Sequence, residues 1–413
     1  MNIILFDAPA QRQNLLPLTF TRPVGQMRVG ILTIAEKWAQ YMGASVSCLT
    51  QPYLQQKYPL VFGTHNLYIN GAVCPDEGLV AAIRALKEGE ALYHNSTLIA
   101  LNGDNLELQD IDSLTGHSAS GRQEYGSCIL INDVWDIFLQ NGDQIRSDFK
   151  LLTNGRQSQP IGDKHTIVYN EENIFIEEGA QIRAAVLNAE NGPIYIGKNA
   201  QVQEGSLIRG PFALCEESHV NMGAKMRGDV TVGPYSKVGG EVAASVIFGY
   251  SNKGHEGYLG NSVLGEWCNL GADTNTSNLK NNYAEVKIWN YAKGGFKNTG
   301  QQFCGLIMGD HSKCGINTMF NTGTVVGVSA NIFGAGFPRN FIPSFSWGGA
   351  AGFETFQMRK VVEVAEKVMA RRKLQFDEVE KSILAHIFEE TKQYRVWDKK
   401  TEEAKPETTV SNS

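Results

Sequence analysis

What the chain lacks narrows it first. No run of eighteen or more apolar residues occurs among its 413 residues, and mean hydropathy is −0.23, so no segment reads as a membrane-crossing helix. No Lys/Arg-rich block stands out either. Lys+Arg 37 against Asp+Glu 43 leaves a net charge of −6, which removes the electrostatic footprint expected of a nucleic-acid binder. The seven cysteines, at 48, 74, 128, 215, 268, 304 and 314, are odd in number and form no Cys-x-x-Cys pair. Neither a disulfide framework nor a zinc site is therefore signalled. The opening Met1–Pro9 has an apolar stretch too short for a secretory signal, broken at Asp7 and Pro9. With 42% hydrophobic residues the chain has enough for a sizeable core. The expectation is a soluble, cytoplasmic protein with no nucleic-acid or membrane partner.

Charged residues are only 19% and prolines only 13, whereas glycine reaches 43 of 413, about 10% against a usual 7% or so. That balance suits a chain of tight corners rather than long solvated helices. Residues 1–150 read as mixed α/β, with strands at Ile3–Phe6, Ser45–Leu49 and Leu67–Ile69. Helices are expected at Ile31–Tyr41 and Glu77–Leu86, and a hairpin at Ala91–Leu101. A polar stretch within 151–170 makes a linker.

Beyond it the period becomes six. Counting in sixes from Ile196 gives Val202, Ile208, Leu214, Val220, Met226, Val232 and Val238, eight apolar residues in eight positions. At this hydrophobic content a fixed phase yields that by chance roughly once in a thousand. The phase returns at Leu264 and Leu270, then at Met308, Cys314, Phe320, Val326 and Ile332. Neither a helix nor an ordinary strand has this period, but a hexapeptide-repeat parallel β-helix does, spanning 171–340. Glycine often follows the apolar position, as at 197, 233 and 271, where a small residue is expected to allow the corner conformation. Interruptions near 243–262 and 274–303 are expected to protrude as loops. Helices are expected over 350–395, and a flexible tail over 399–413.

The first interruption reads Asn252-Lys253-Gly254-His255-Glu256-Gly257-Tyr258-Leu259-Gly260, followed by Asn269-Leu270-Gly271-Ala272 and then Asn278-Leu279-Lys280. This segment resembles the acetyltransferase half of the bifunctional N-acetylglucosamine-1-phosphate uridyltransferase/glucosamine-1-phosphate acetyltransferase family, and is closer to its archaeal-type branch. The resemblance implies a left-handed β-helix that forms a homotrimer, with acetyl-CoA as donor and an amino-sugar phosphate as acceptor. By it, His255 is the general base, and imidazole chemistry suits removal of a proton from a sugar ammonium. Arg227, Tyr258, Asn269 and Asn278 match sugar-phosphate positions, Lys280 or Lys287 supplies a further cation, and Ala272 lies against acetyl-CoA. The family's lysine upstream of the histidine falls on Ala243. Read without the resemblance, Asn269 and Asn278 are equally well members of a corner hydrogen-bond ladder.

At the amino terminus, Leu5-Phe6-Asp7-Ala8-Pro9-Ala10-Gln11-Arg12, with Leu16-Pro17-Leu18-Thr19 and Arg22-Pro23, resembles the phosphate loop of sugar nucleotidyltransferases. Arg12 and Arg22 are the nucleotide-binding candidates it implies, with UTP as the substrate and Mg2+ as the ion if the domain is active. Ala8 and Ala10 replace two loop glycines, and Ala72 stands where the family carries a magnesium-binding acid. No metal ligand is assigned. Two alternatives to the combined acetyl and uridyl transfer remain open. One is acyl transfer to another amino sugar beside a decayed nucleotidyltransferase domain. The other is a non-catalytic trimeric sugar-nucleotide sensor.

Overall fold

The computed structural model describes residues 2–108 and 121–398; the expected tail at 399–413 lies outside them. The amino-terminal part is a mixed six-stranded sheet in the order β2-β1-β3-β6-β5-β7. Its strands are β1 (Asn2–Phe6), β2 (Val46–Leu49), β3 (Asn66–Asn70), β5 (Glu90–His94), β6 (Thr97–Gly103) and β7 (Gly121–Glu124), with β4 (Val73–Cys74) outside it. Strands β1, β2 and β3 run parallel, while β5 and β6 form the expected hairpin. Helix α1 (Pro9–Asn14) follows β1. Helix α2 (Ile34–Met42) opens on a capping box between Thr33 and Glu36 and stops at Gly43 in the left-handed region. Helices α3 (Pro52–Gln55) and α4 (Glu77–Arg84) complete the crossovers.

The 18-residue helix α5 (Asp136–Thr153) has no clean apolar stripe to announce it in the sequence. Its inner face sets Asn141, Gln144 and Asp148 among Ile137, Phe138 and Ile145, and the polar members fasten a loop. Asp148 accepts the backbone N–H groups of Ile31 and Leu32 and the buried Lys37 ammonium. Asn141 receives Gly30 N–H and donates to the Asp229 carbonyl, joining the first domain to the second.

The rest is a parallel β-solenoid of three sheets, carrying nine, nine and six parallel strands from Ile167–Tyr169 to Ser346–Gly349, with Gly352–Thr355 added antiparallel to the last. Every hexad residue from Ile196 to Ile332 points inward and is buried. Successive coils pair in register eighteen residues apart, as Ile196 with Leu214 and Leu214 with Val232. The glycines after the inward positions have a different cause from the one expected. Gly233 and Gly271 do not have positive φ. Instead, a Cβ on Gly233 would collide with the Phe248 carbonyl of the next coil, and one on Gly271 with the backbone at Gly315. The left-handed corners are taken by other residues, including Tyr235, Tyr250, Trp267 and His311. Those four stack in a column at centroid spacings of 5.0, 4.3 and 6.2 Å, and that contact area offsets their backbone cost.

The first interruption does not protrude. Thr231 pairs with Val246 and Lys237 with Asn252, so one coil is contracted to fifteen residues and the strands continue. The second does protrude, as an antiparallel hairpin of Lys287–Asn290 and Gly295–Asn298. It reaches back to the amino-terminal domain through Asn290–Asn14 and Lys297–Asp133 contacts. Helices α6 (Met358–Ala370) and α7 (Glu378–Glu390) close the chain. Lys57 pairs with Glu380 and Tyr53 stacks on His386, so α7 also touches the first domain.

Candidate active site

His255 sits exposed on the corner between strand Asn252–Lys253 and strand Tyr258–Gly260. The contracted coil places that corner where two sheets of the solenoid meet. Gly257 turns it at φ 111°, and a Cβ there would strike the Thr274 carbonyl. Asn221, two coils before, donates to the Gly254 carbonyl at 2.7 Å, and Asp273 N–H of the next coil donates to the Glu256 carbonyl at 3.1 Å, tying the corner down from both directions.

On one side of the corner lies a cleft of about 900 Å³. His255, Asn269 and Ala272 share it, with Asn252 stacked in register beside Asn269. Its far wall is not legible in the sequence. Tyr250 and Trp267 of the aromatic column line it, as do Lys237, Lys313 and two arginines, Arg371 and Arg372, from the end of α6. Among the described residues neither arginine side chain has an ion-pair or hydrogen-bond partner. The sequence signal for them is weak: two cations ending an amphipathic helix more than a hundred residues from His255.

On the other side of the corner is the sheet that carries Tyr258. The Tyr258 hydroxyl accepts from Asn278 at 3.0 Å, and Asn278 also donates to Asn261 at 2.8 Å. Burial pushes the Tyr258 phenol up, partly opposed by the Arg227 charge. Arg227 pairs with Glu241 at 2.9 Å, and Glu241 lies in register with Tyr258. Arg227, Tyr258 and Asn278 are thus brought together. Lys280 instead spends its ammonium on the Glu285 carbonyl, and Lys287 is exposed at the foot of the hairpin, outside the residues lining the cleft.

The amino-terminal candidates are engaged with protein. Arg22 is buried and fork-bonded to Asp310 of the solenoid at 2.9 and 2.5 Å, with Glu266 at 3.2 Å. Arg12 donates to the Tyr53 hydroxyl at 2.7 Å and lies 3.6 Å from Asp7. Burial pushes the Asp7 carboxyl up even though Arg12 and hydrogen bonds from Thr50 and Val24 oppose it. Ala72 is fully buried, and its N–H is taken by the Asn70 side chain. Among the described residues no group of three His, Cys, Asp or Glu side chains is placed to hold a metal. With Ala72 in place of an acid and Asp7 already committed, the donor set does not fit a magnesium ion.

Residues 3–157 match the family described as sugar nucleotidyl transferase, as the amino-terminal motifs had suggested. The chain is similar to a bifunctional sugar-1-phosphate nucleotidylyltransferase/acetyltransferase of Sulfurisphaera tokodaii, 31% identical over 144 residues, covering 34% of this chain and 35% of that one. It is similar to bifunctional protein GlmU of Methanocaldococcus jannaschii, 38% identical over 87 residues and 21% of each chain. A third relative, GlmU of Rippkaea orientalis, is 27% identical over 177 residues, 38% of this chain and 37% of that one. The chain thus spans from about a fifth to under two fifths of these curated relatives. A solved N-acyltransferase from Bacillus cereus, in complex with dTDP and coenzyme A, aligns over 50% of this chain and 91% of its own. That alignment has 14% identity and a TM-score of 0.21, too low to bear on the site.

Proposed function

We propose that the chain transfers an acetyl group from acetyl-CoA to the amine of an amino-sugar phosphate such as glucosamine-1-phosphate, with His255 as general base. The observation that carries this reading is the position of His255 on a corner between two unlike surfaces. The cleft side offers length, aromatic faces and cations for a phosphorylated nucleotide donor. The other side offers Tyr258, Asn278 and Arg227 for a sugar phosphate. In the step proposed, the ammonium gives one proton to solvent, and the His255 imidazole takes a second from the nitrogen as it attacks the thioester carbon. Backbone N–H groups stabilise the oxyanion, the C–S bond breaks, and the imidazolium returns its proton to the leaving thiolate. The pantetheine arm would run past Ala272, with its phosphates toward Lys237, Arg371 and Arg372.

The chain would work as a homotrimer in the cytoplasm. Met222 and Ile316 project from the same edge as His255 at 69% and 70% exposure, which supports an apolar contact there. The amino-terminal domain would then join the acetylated sugar phosphate to a uridylyl group from UTP, a step supported by the match over 3–157. A second reading, acyl transfer beside a nucleotidyltransferase domain that no longer transfers, is favoured by the Arg22–Asp310 pairing and by Ala72.

The test is thiol release from acetyl-CoA with glucosamine-1-phosphate, followed by pyrophosphate release on adding UTP and Mg2+. Thiol then pyrophosphate supports both steps, and thiol alone supports the second reading. Neither product, with glucosamine-1-phosphate or other amino-sugar phosphates, sinks the proposal.

A further inference from the structure

One inward position of the solenoid is filled against its own pattern. The column Val202, Val220, Val238, then Leu270, Cys314 and Ile332, stacks coil upon coil on one sheet. Between Val238 and Leu270 the inward residue is Lys253, only 1% exposed. The contracted coil brings it there. Val238 pairs with Lys253 after fifteen residues rather than eighteen, so the inward phase lands on a lysine two residues before His255.

The ammonium is not left unpartnered. Lys253 Nζ donates to the His255 carbonyl at 2.5 Å and the Glu256 carbonyl at 3.1 Å. Both acceptors belong to the corner that presents His255, and that corner is flanked by Gly254 and Gly257, two residues with little conformational stiffness of their own. From inside the prism, the lysine therefore grips the backbone of the very turn that the contracted coil has shortened.

The fold itself gains little from a charge at this place. Burial pushes the Lys253 ammonium down to about 8, with Glu256, Cys314 and Asp273 pulling the other way. Between about pH 8 and the ordinary lysine value near 10.4, the unfolded chain binds a proton that the folded chain does not. Stability therefore rises with pH across that window, and below it the charged lysine is a net cost to folding. An apolar residue, as in the neighbouring coils, would carry no such cost.

We infer that Lys253 is a positioning residue, which pins the His255–Glu256 backbone from the solenoid core so that the imidazole is held at the mouth of the cleft. This rests on the acyl-transfer reading only for its consequence in turnover, because the pinning itself can be measured without substrate.

The experiment is Lys253→Met in the full chain, which fills the same space and removes the donors. Amide hydrogen exchange at 254–258 should quicken by about tenfold or more, while exchange at the next corner, 271–274, stays as it was. The melting temperature should be equal to that of the wild type or higher. For acetyl transfer, kcat should fall roughly 10- to 100-fold with KM for acetyl-CoA within about threefold, the split expected when a reacting group is misplaced rather than a substrate lost. Unchanged exchange at 254–258 would overturn the inference, as would a variant that melts earlier or fails to fold, since the lysine would then be needed by the core. If Lys253→Met changes exchange as stated while His255→Ala leaves thiol release intact, the pin stands and the assignment of His255 falls.

Discussion

The Asp310 carboxylate is the sharpest test of how the two domains are joined. It is 3% exposed and accepts four hydrogen bonds: two from Arg22, at 2.9 and 2.5 Å, one from the Thr21 hydroxyl at 2.8 Å, and one from Glu266 N–H at 3.0 Å. Asp310→Asn removes the charge and one acceptor while keeping the volume. Breaking one side of a buried ion pair costs about 3–5 kcal/mol, because the partner's charge stays buried. Here Glu266, about a third exposed, remains 3.2 Å from Arg22, so the expected loss lies at the lower end, about 3 kcal/mol. The double variant Arg22→Met/Asp310→Asn should be less damaged than the sum of the two singles, by about 1–3 kcal/mol. Urea unfolding at pH 7 followed by tryptophan fluorescence reads both quantities. Burial pushes the Asp310 carboxyl up, but the Arg22 charge and hydrogen bonds more than reverse this and hold it below the ordinary aspartate value. The pair's contribution is therefore whole above about pH 4 and is lost as pH falls through the depressed value. A single-variant loss below about 1 kcal/mol, or strictly additive singles, would refute the claim that Arg22 is held by the solenoid rather than offered to a nucleotide.

Two further outcomes concern the site. Arg372→Ser should raise KM for acetyl-CoA about tenfold and leave kcat nearly unchanged, while turnover of a short acetyl thioester lacking the nucleotide should not respond; equal effects on both donors would remove the arginine from phosphate binding. Ile316→Asp places a charge on the apolar edge beside the cleft and should shift light-scattering mass from trimer toward monomer, with loss of acetyl transfer; an unchanged mass would put the subunit contact elsewhere.

The inward face of the solenoid was legible because a period of six survives any local detail, and each hexad residue from Ile196 to Ile332 is buried. The short strands and the hairpin of the first domain were legible for a related reason, as apolar runs bounded by turn residues. Helix α5 was not, because buried Asn141 and Asp148, which bind backbone groups, interrupt the apolar stripe of Ile137, Phe138 and Ile145. The contracted coil at 243–262 looked like a loop, since a three-residue deletion breaks the count just as an insertion does. Reading Gly233 as a corner residue missed its cause, the neighbouring coil's carbonyl, which no single-strand pattern displays. Within the site, His255, Asn269 and Ala272 were candidates through the resemblance carried by 252–280, and they share one cleft. Arg371 and Arg372 join them only through the docking of α6, and Lys253 is turned inward by a contraction of the coil that no local pattern displays.

The central claim is that His255 performs base chemistry on an acyl acceptor, and thiol release by His255→Ala against the wild type tests it most directly. With acetyl-CoA and glucosamine-1-phosphate, loss of a general base should slow turnover by about 10²- to 10⁴-fold. Melting temperature and oligomeric mass should hold, because the imidazole is exposed and supports no core contact. Turnover within about twofold of the wild type would contradict the account.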